Sequence, residues 1–542
     1  MSRPGALLAL AIFLWAALTA IGLVARPPLP VDETRYLAVA WEMWQRGDFL
    51  VPYINGVPYH HKPPLLFWLM QAGWTVFGVN EIWARLVAPL FALGSILLTN
   101  RLARLLWPER EAGPLAALVL TGSTLFGVFI SITFFDTLVT FFALLGWIGV
   151  VRAAQAAREG RSMRPGWIIY AVALGLGVLS KGPVQLVHVL PVALLAPLWM
   201  KERPPGFARR WYAALALAVL GGAAVALAWA VPAAIAGGAE FARKIFLGQS
   251  TGRMVDSFQH ARPFWWYGPA IFVMLFPWLW WAALWRRGLA AGPIWREAGT
   301  RFCLCVLGPA FVIFSAISGK QPHYMLPLVA AAALLIARLF AAAGEERSWE
   351  RALPLLVIAL CGTALIAAPL FAGRLIAARP GPVFPGWLQV LSLGSGVALI
   401  AGSLAAFRAA STKTAIAALS SLSIALLAAS HVALLALRPT FEVAQIAAFL
   451  RQAEDAGTPV AILGDYEGQF HFAGRLTRPI VEVNHTTALT WAAEHPDGLL
   501  ITVPQSVPTD VAPALVARYR GREAAIWHAR DVAKYGLTLL NH

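Results

Sequence analysis

The chain has 542 residues, 59% of them hydrophobic and 13% charged, with a mean hydropathy of +0.66. This excludes an ordinary soluble globular protein, because apolar runs near the roughly 20 residues needed to cross hydrocarbon recur along most of its length. The formal charge of +16 does not point to nucleic acid. Its basic residues gather in short loops between apolar runs (Arg101/Arg104, Arg152/Arg158/Arg161/Arg164, Lys201/Arg203/Arg209/Arg210, Arg286/Arg287), as the positive-inside bias requires.

The first apolar run, 6–25, is longer than a signal-peptide core and reads as a membrane-spanning helix rather than a cleaved leader. Arg26-Pro27-Pro28 breaks it, and the loop 26–82 follows. Within that loop Tyr36–Gln45 is predicted as an amphipathic helix with Tyr36, Leu37, Ala40, Trp41 and Trp44 on one face and Arg35, Glu42 and Gln45 away from it. Pro63–Phe77 is a second apolar helix, carrying Trp68 and Trp74 as interfacial anchors. Both are expected to lie on or partly in the membrane rather than across it. Further spans are predicted near 83–106, 114–132, 136–151, 166–180, 183–199, 211–236, 264–285, 302–318, 322–340, 352–372, 386–407 and 414–436, about thirteen in all. The tight Phe134-Phe135-Asp136 junction is the least defined boundary, and 237–263 forms a second large loop.

Cys303, Cys305 and Cys361 stand in apolar runs and read as reduced packing residues. Counting from a cytoplasmic Arg3, alternation keeps the arginine-rich loops inside and sends the last hundred residues to the other side. Residues 1–437 are thus expected to form a membrane domain and 438–542 a small α/β domain. In the latter, Phe441–Glu454 and Asp510–Tyr519 are read as helices and Pro459–Leu463, Ile480–Val483 and Leu499–Val503 as strands.

Polar groups inside apolar helices are expensive, so their positions are informative. Asp136 begins a span, Lys181 ends one, and Lys320, His323 and Tyr324 stand together between two others. The expected topology puts all of them on the non-cytoplasmic side, with Asp32, Lys62 and His260. Each has a simpler reading. Asp32 or Asp136 can cap a helix, with Glu33 in a favourable first turn. Lys62 and Lys181 can snorkel to headgroups. His60, His61 and His260 can be surface histidines, and no H-x-x-H or HExxH spacing supports a metal held by His61 and His260.

Three segments bear a more specific resemblance. Asp32-Glu33-Thr34-Arg35-Tyr36, Trp44-x-x-Gly47-Asp48-Phe49-x-Val51-Pro52 and Tyr59-x-x-Lys62-Pro63-Pro64 are similar to the first-loop signature of the GT-C membrane glycosyltransferases. The likeness is nearest to the aminoarabinose transferase-like enzymes that modify lipid A, related to the protein O-mannosyltransferases. Leu179-Ser180-Lys181-Gly182-Pro183, Gln259-His260, and Ser318-Gly319-Lys320-Gln321-Pro322-x-Tyr324-x-Leu326-Pro327 extend it through the membrane part. The resemblance implies a GT-C fold, a polyprenyl-phosphate-linked sugar as donor, a catalytic acid at Asp32, a second acid at Asp136 and the family's lysine at Lys62. It also raises a divalent metal (Zn, Mg or Mn) near His260. The chain departs from the family pattern at His61, where the lipid A enzymes carry an acid before the lysine.

The chemistry expected is transfer of a sugar to an acceptor hydroxyl. Asp32 would accept the hydroxyl proton. Lys62, with Arg35, Arg262 or Lys320, would stabilise charge growing on the leaving phosphate. Glu33, Lys181 and Tyr324 are further candidates for donor binding. One base and no covalent nucleophile imply inversion. Lipid A or another lipopolysaccharide component is the expected acceptor, with a protein acceptor as the alternative. The setting is the bacterial inner membrane, with the C-terminal domain periplasmic, and the protein is expected to be a monomer. A lipid flippase or transporter is the main rival, but no repeat of halves is evident, and the polar residues gather at one boundary rather than mid-span. Nothing in the sequence reads out the sugar.

Overall fold

The structure is a computed structural model, and it describes residues 4–108, 111–246, 261–342, 347–376, 385–504 and 511–536. Among these, nine helices are long and apolar enough to cross a bilayer, or ten if one bent pair counts as a single span. The contacts divide the chain into two compact units. One holds residues up to Leu23, His61–Leu66 and Arg85–Val432; the other holds Val24–His60, Phe67–Ala84 and Ala433–His542. This differs from the division at 437/438 read from composition, because residues of the first loop group with the C-terminal region.

The first unit is a helical bundle around one apolar core. Its first helix, α1 (Pro4–Ala25), has its end closed from the side: Arg85, 4% exposed, donates Nη2 to the Gly22 carbonyl at 2.9 Å. That satisfies a carbonyl the helix itself cannot pair. The helices α2 (Asp32–Arg46) and α3 (Leu65–Phe77) lie wholly or mostly in the second unit, and α4 (Glu81–Leu106) runs on from it.

Several spans expected to be continuous are interrupted. The run 114–132 is two helices, α5 (Ala112–Gly122) and α6 (Thr124–Ile130), bent by 74° at Ser123. In hydrocarbon such a break survives only if its freed backbone groups are paired. The Thr124 N–H donates to the Phe276 carbonyl at 3.0 Å, and Trp278 Nε1 donates to the Val119 carbonyl at 2.9 Å. The run 264–285 supplies those partners and is itself broken, with helices Tyr267–Met274 and Ala282–Ala290 on either side of a short turn, Trp278–Trp280. Pro277, lacking an N–H, stands at the break.

Next come α7 (Phe135–Arg158), α8 (Arg164–Lys181) and α9 (Val184–Leu194). α7 and α8 form an antiparallel hairpin whose backbones nearly touch: a Cβ added to Gly166 would fall 2.6 Å from both the Ala153 nitrogen and the Gly149 carbonyl. Small residues at such a crossing let dispersion and backbone contacts act where no hydrophobic driving force exists between helices. The later helices Phe207–Phe246, Ala298–Ala316, Leu326–Ala341, Ala352–Ile376, Gly386–Phe407 and Thr412–Phe441 complete the unit, the last running on from it beyond Val432. The first of these crosses the expected 236/237 boundary and is interrupted by Gly238 at φ +84°.

The second unit joins most of the first loop to the C-terminal region. Between α2 and α3 lies a hairpin, β1 (Tyr53–Ile54) and β2 (Val57–Pro58), that the periodicity did not reveal. The C-terminal part is a five-stranded sheet of β3 (Val460–Leu463), β4 (Val481–Val483), β5 (Leu499–Thr502), β6 (Leu515–Tyr519) and β7 (Arg522–His528) in the order β4-β3-β5-β7-β6. β3 pairs parallel with both β4 and β5, whereas β5–β7 and β6–β7 are antiparallel. The helix expected over Asp510–Tyr519 is corrected here: Leu515–Tyr519 is a strand. The following Arg520 and Gly521 both have positive φ, +51° and +80°, the requirement of a tight two-residue hairpin turn. Asp510 itself lies outside the described residues.

α2 and α3 pack against this C-terminal part. Trp41 Nε1 donates to the Leu476 carbonyl at 2.8 Å. The Asn55 amide both donates to the Ile480 carbonyl (2.9 Å) and accepts from its N–H (2.8 Å). Trp74, expected as an interfacial anchor, is 1% exposed and stacked on Phe472 with ring centroids 5.7 Å apart.

Two tests follow from this packing. Gly166→Ala should destabilise the first unit by about 1–3 kcal/mol, the usual range for overpacking. Thermal unfolding in detergent measures it, and an unchanged midpoint would show that the helices separate freely. In the second unit, the Tyr466 hydroxyl lies 2.7 Å from buried His471 Nδ1. Burial pushes that imidazole down to about 4, against a hydrogen bond at Arg478 and the Glu454 charge. The unfolded chain therefore binds the extra proton between pH 6.5 and 4, so stability present above 6.5 is lost across that window. Protection factors of peptides covering 466–476, taken after dividing out the intrinsic exchange rate at each pH, should fall as the pH falls through it, and His471→Phe should flatten the response.

Candidate functional site

In the first unit the site grows from the α7–α8 hairpin. Only a short turn, 159–163, joins these helices, so the start of α7 and the end of α8 return to one level. Asp136 occupies the first turn of α7 and Lys181 the last turn of α8. Lys181 Nζ lies 2.6 Å from Asp136 Oδ1, with the carboxylate side chain 4% and the lysine side chain 10% exposed. Each charge sits at the helix end whose dipole favours it. Gly182, at φ +83°, then turns the chain sharply into Pro183 and α9.

A second wall comes from 318–325. Tyr267 donates its hydroxyl to the Gln321 carbonyl at 2.9 Å and holds the short 3-10 turn Pro322–Met325. Tyr324 in that turn presents its ring 4.9 Å from Lys181 Nζ, and His323 packs against Phe134 and Phe129. Lys62 lies over the Phe135 ring at 6.0 Å, the outer limit of a cation–π contact. The structure therefore groups Asp136, Lys181 and Tyr324, and places Lys62 beside the residue preceding Asp136.

Lys320 belongs to the same stretch. It is 3% exposed and donates Nζ to the carbonyls of Arg262 (3.0 Å) and Ile317. With the Arg262 N–H to Ser318 carbonyl bond of 3.1 Å, it clamps the entry of one helix to the exit of another. The Arg262 side chain is exposed. Two polar residues that sequence reasoning missed lie on α9. Gln185 is fully buried, and among the described residues neither of its amide atoms is hydrogen-bonded and His188 Nδ1, at 2% exposure, has no hydrogen-bond partner. Their signal was present: two polar side chains three apart in an otherwise apolar run.

The acid pair belongs to the second unit, and its two members differ. Glu33 is 1% exposed; its carboxylate takes Arg26 and the Leu29 N–H (2.9 Å), fastening residues 26–29 to the first turn of α2. That is an anchoring position. Asp32 is half-exposed, stands first in α2 after Val31, and makes no capping bond there. It pairs with Arg35, whose guanidinium also engages Glu467. Arg35, expected to meet a donor phosphate, is thus flanked by two carboxylates.

For a metal, His61 is exposed, and His260 lies outside the described residues. Among the described residues no three His, Cys, Asp or Glu side chains come together as a cation would require.

Removing one member of the Asp136–Lys181 pair strands a buried charge. Asp136→Asn or Lys181→Met alone should each cost about 3–5 kcal/mol, the range for breaking such pairs. The double replacement should cost much less than the sum. Additive losses in thermal unfolding would mean that the two charges are not coupled.

Comparison with known proteins bears on this arrangement. The family described as dolichyl-phosphate-mannose-protein mannosyltransferase matches residues 61–233. The chain is 32% identical over 315 residues to the undecaprenyl phosphate-alpha-4-amino-4-deoxy-L-arabinose arabinosyl transferase of Pseudomonas aeruginosa (strain LESB58), covering 56% of this chain and 54% of that one. It is 31% identical over 351 residues to arabinosyl transferase 1 of the same description from Pseudomonas fluorescens (strain Pf0-1), covering 64% and 58%. The matches thus span little more than half the length of these relatives. Among solved structures, ArnT from Cupriavidus metallidurans bound to undecaprenyl phosphate matches with a TM-score of 0.74 at 19% identity, over 96% of this chain and 97% of that one. Its apo state gives the same score. The chain is a multi-pass membrane protein with the GT-C fold of ArnT, similar in sequence to the aminoarabinose transferases.

Proposed function

We propose that the protein transfers a sugar from a polyprenyl-phosphate donor to a hydroxyl of an envelope glycolipid, with lipid A or another lipopolysaccharide component as acceptor. The observation that carries this reading is the buried Asp136–Lys181–Tyr324 cluster at one end of the helix hairpin, in a chain with the fold of ArnT. Charge held at a helical boundary suits a ligand whose phosphate meets water while its tail stays in lipid. The likeness to arabinosyl transferases of lipid-linked aminoarabinose supports the donor class.

In the proposed reaction the acceptor oxygen attacks the anomeric carbon as the bond from that carbon to the phosphate oxygen breaks. The electron pair leaves with the phosphate, and the proton of the acceptor hydroxyl passes to a carboxylate. Asp32 takes that proton; Arg35, bonded to it, holds the carboxylate in place. The leaving phosphate is already a stable anion and needs cationic stabilisation rather than an acid. Lys62 and Arg262 supply it, while Lys181, neutralised by Asp136, positions Tyr324 and the donor. A single displacement inverts the anomeric centre. The reaction takes place on the periplasmic face of the inner membrane, with the N-terminus cytoplasmic and the C-terminal region periplasmic.

Asp32→Asn should lower kcat by roughly 10²–10⁴-fold while leaving undecaprenyl phosphate binding intact, the range for losing a general base. Near-normal turnover would remove Asp32 from that role. Glu33→Gln should instead lower the melting temperature, because it leaves Arg26 buried without its counter-charge. Mass spectrometry of envelope lipids from cells with and without the gene identifies the acceptor. An unchanged lipid A accompanied by unglycosylated proteins would move the acceptor to protein.

A further inference from the structure

The loops at the opposite end of α8 hold a feature that the transfer reaction does not use. Residues 152–164 and 201–210 carry eight basic side chains against two acids, Glu159 and Glu202. Both acids are taken: Glu159 by Arg161, and Glu202 by Arg158 at 3.2 Å. Arg164 and Arg210 have no carboxylate partner among the described residues, and both are exposed.

These two arginines stand at the mouth of a groove of about 740 Å³ between α8 and the helix Phe207–Phe246. The groove has a physical origin. Farther along, the helices touch closely: a Cβ on Gly222 would meet the Ala171 carbonyl at 3.0 Å and the Leu174 side chain at 2.9 Å. Toward the arginines, Trp167 of α8 packs edge-on against Trp211 of the other helix at 4.8 Å, and the two bulky rings hold the helices apart. The result is a wedge with a cationic rim and an apolar wall in which Ile168 and Leu217 remain exposed.

We propose that this wedge is a binding site for an anionic glycerophospholipid, with its phosphate between Arg164 and Arg210 and an acyl chain along Ile168 and Leu217. Charge complementarity selects the headgroup, since two uncompensated cations at a membrane boundary attract anionic lipid. The apolar wall selects a lipid over a free anion. The wedge is formed by helices and loops of the first unit alone, so the inference is independent of the sugar, the acceptor and the reaction.

Native mass spectrometry of the full chain, delipidated in neutral detergent and offered phosphatidylglycerol or phosphatidylcholine, tests the site. Phosphatidylglycerol should bind roughly 25-fold more tightly, given about fivefold for each of the two arginines. Arg164→Gln/Arg210→Gln should reduce that preference to near unity, whereas Arg101→Gln/Arg104→Gln, exposed elsewhere, should retain it. Equal binding of the two lipids by the unaltered chain would overturn the proposal. So would equal loss in both double variants, or displacement of bound phosphatidylglycerol by inorganic phosphate at the same concentration.

Discussion

A carboxylate and an ammonium enclosed by apolar helices tolerate one arrangement, contact with each other, and much of the membrane unit is compatible only with that contact. Asp136 and Lys181 are 45 residues apart in sequence, yet the hairpin of α7 and α8 returns them to 2.6 Å. The pairing fixes which ends of the two helices coincide, and the near-touching Gly149 and Gly166 fix how closely they run. Slipping one helix against the other would strand both charges and force backbone into backbone. The turn bearing Tyr324 and the sharp bend at Gly182 are then placed against a frame with little freedom to adjust. A pair of this kind is poor evidence of added stability. Its value is specificity: it admits one register.

The spans were legible because a bilayer demands length and apolarity, and 386–407 was read to the residue. What could not be read was where an apolar run bends. Ser123 breaks a helix only because Trp278 and the Phe276 carbonyl, more than 150 residues later, satisfy what the bend exposes. Composition carries no trace of such remote partners. Asp136 and Lys181 were visible singly, as costly polar residues in apolar surroundings, but their pairing required the hairpin. Glu33 and Lys320 are a different case. Both looked chemical because charge beside a membrane invites that reading, and both are buried against the backbone or a neighbouring ion, where they fasten segments together. Leu515–Tyr519 was misread because a short segment, apolar but for Arg518, is ambiguous between helix and strand; the Arg520-Gly521 turn was the deciding signal.

Within the second unit the surroundings of Asp32 are more acidic than the first loop alone suggests. Glu467, from the segment after β3, shares Arg35 with it. The three side chains together carry one net negative charge, and the guanidinium is spent on orienting carboxylates. A residue from the far end of the chain thereby influences the acid nearest its beginning. Substitutions in the C-terminal region can alter Asp32 without touching any substrate.

The bond between Asn55 and Ile480 has a consequence for how the protein is made. Asn55 pairs with both the N–H and the carbonyl of one residue beside β4, as a neighbouring strand would, but its partner is encoded some 425 positions later. At about 5–20 residues per second, the ribosome needs on the order of 20 to 80 s to reach it. Throughout that interval Trp41, Asn55 and Trp74 await the surface that covers them, while the membrane helices are threaded one after another. The compact unit closes only after the C-terminal sheet has been synthesised. Its completion therefore reports that every intervening span has been synthesised, and a chain truncated before β3 would leave an open aromatic face for chaperones and proteases to recognise.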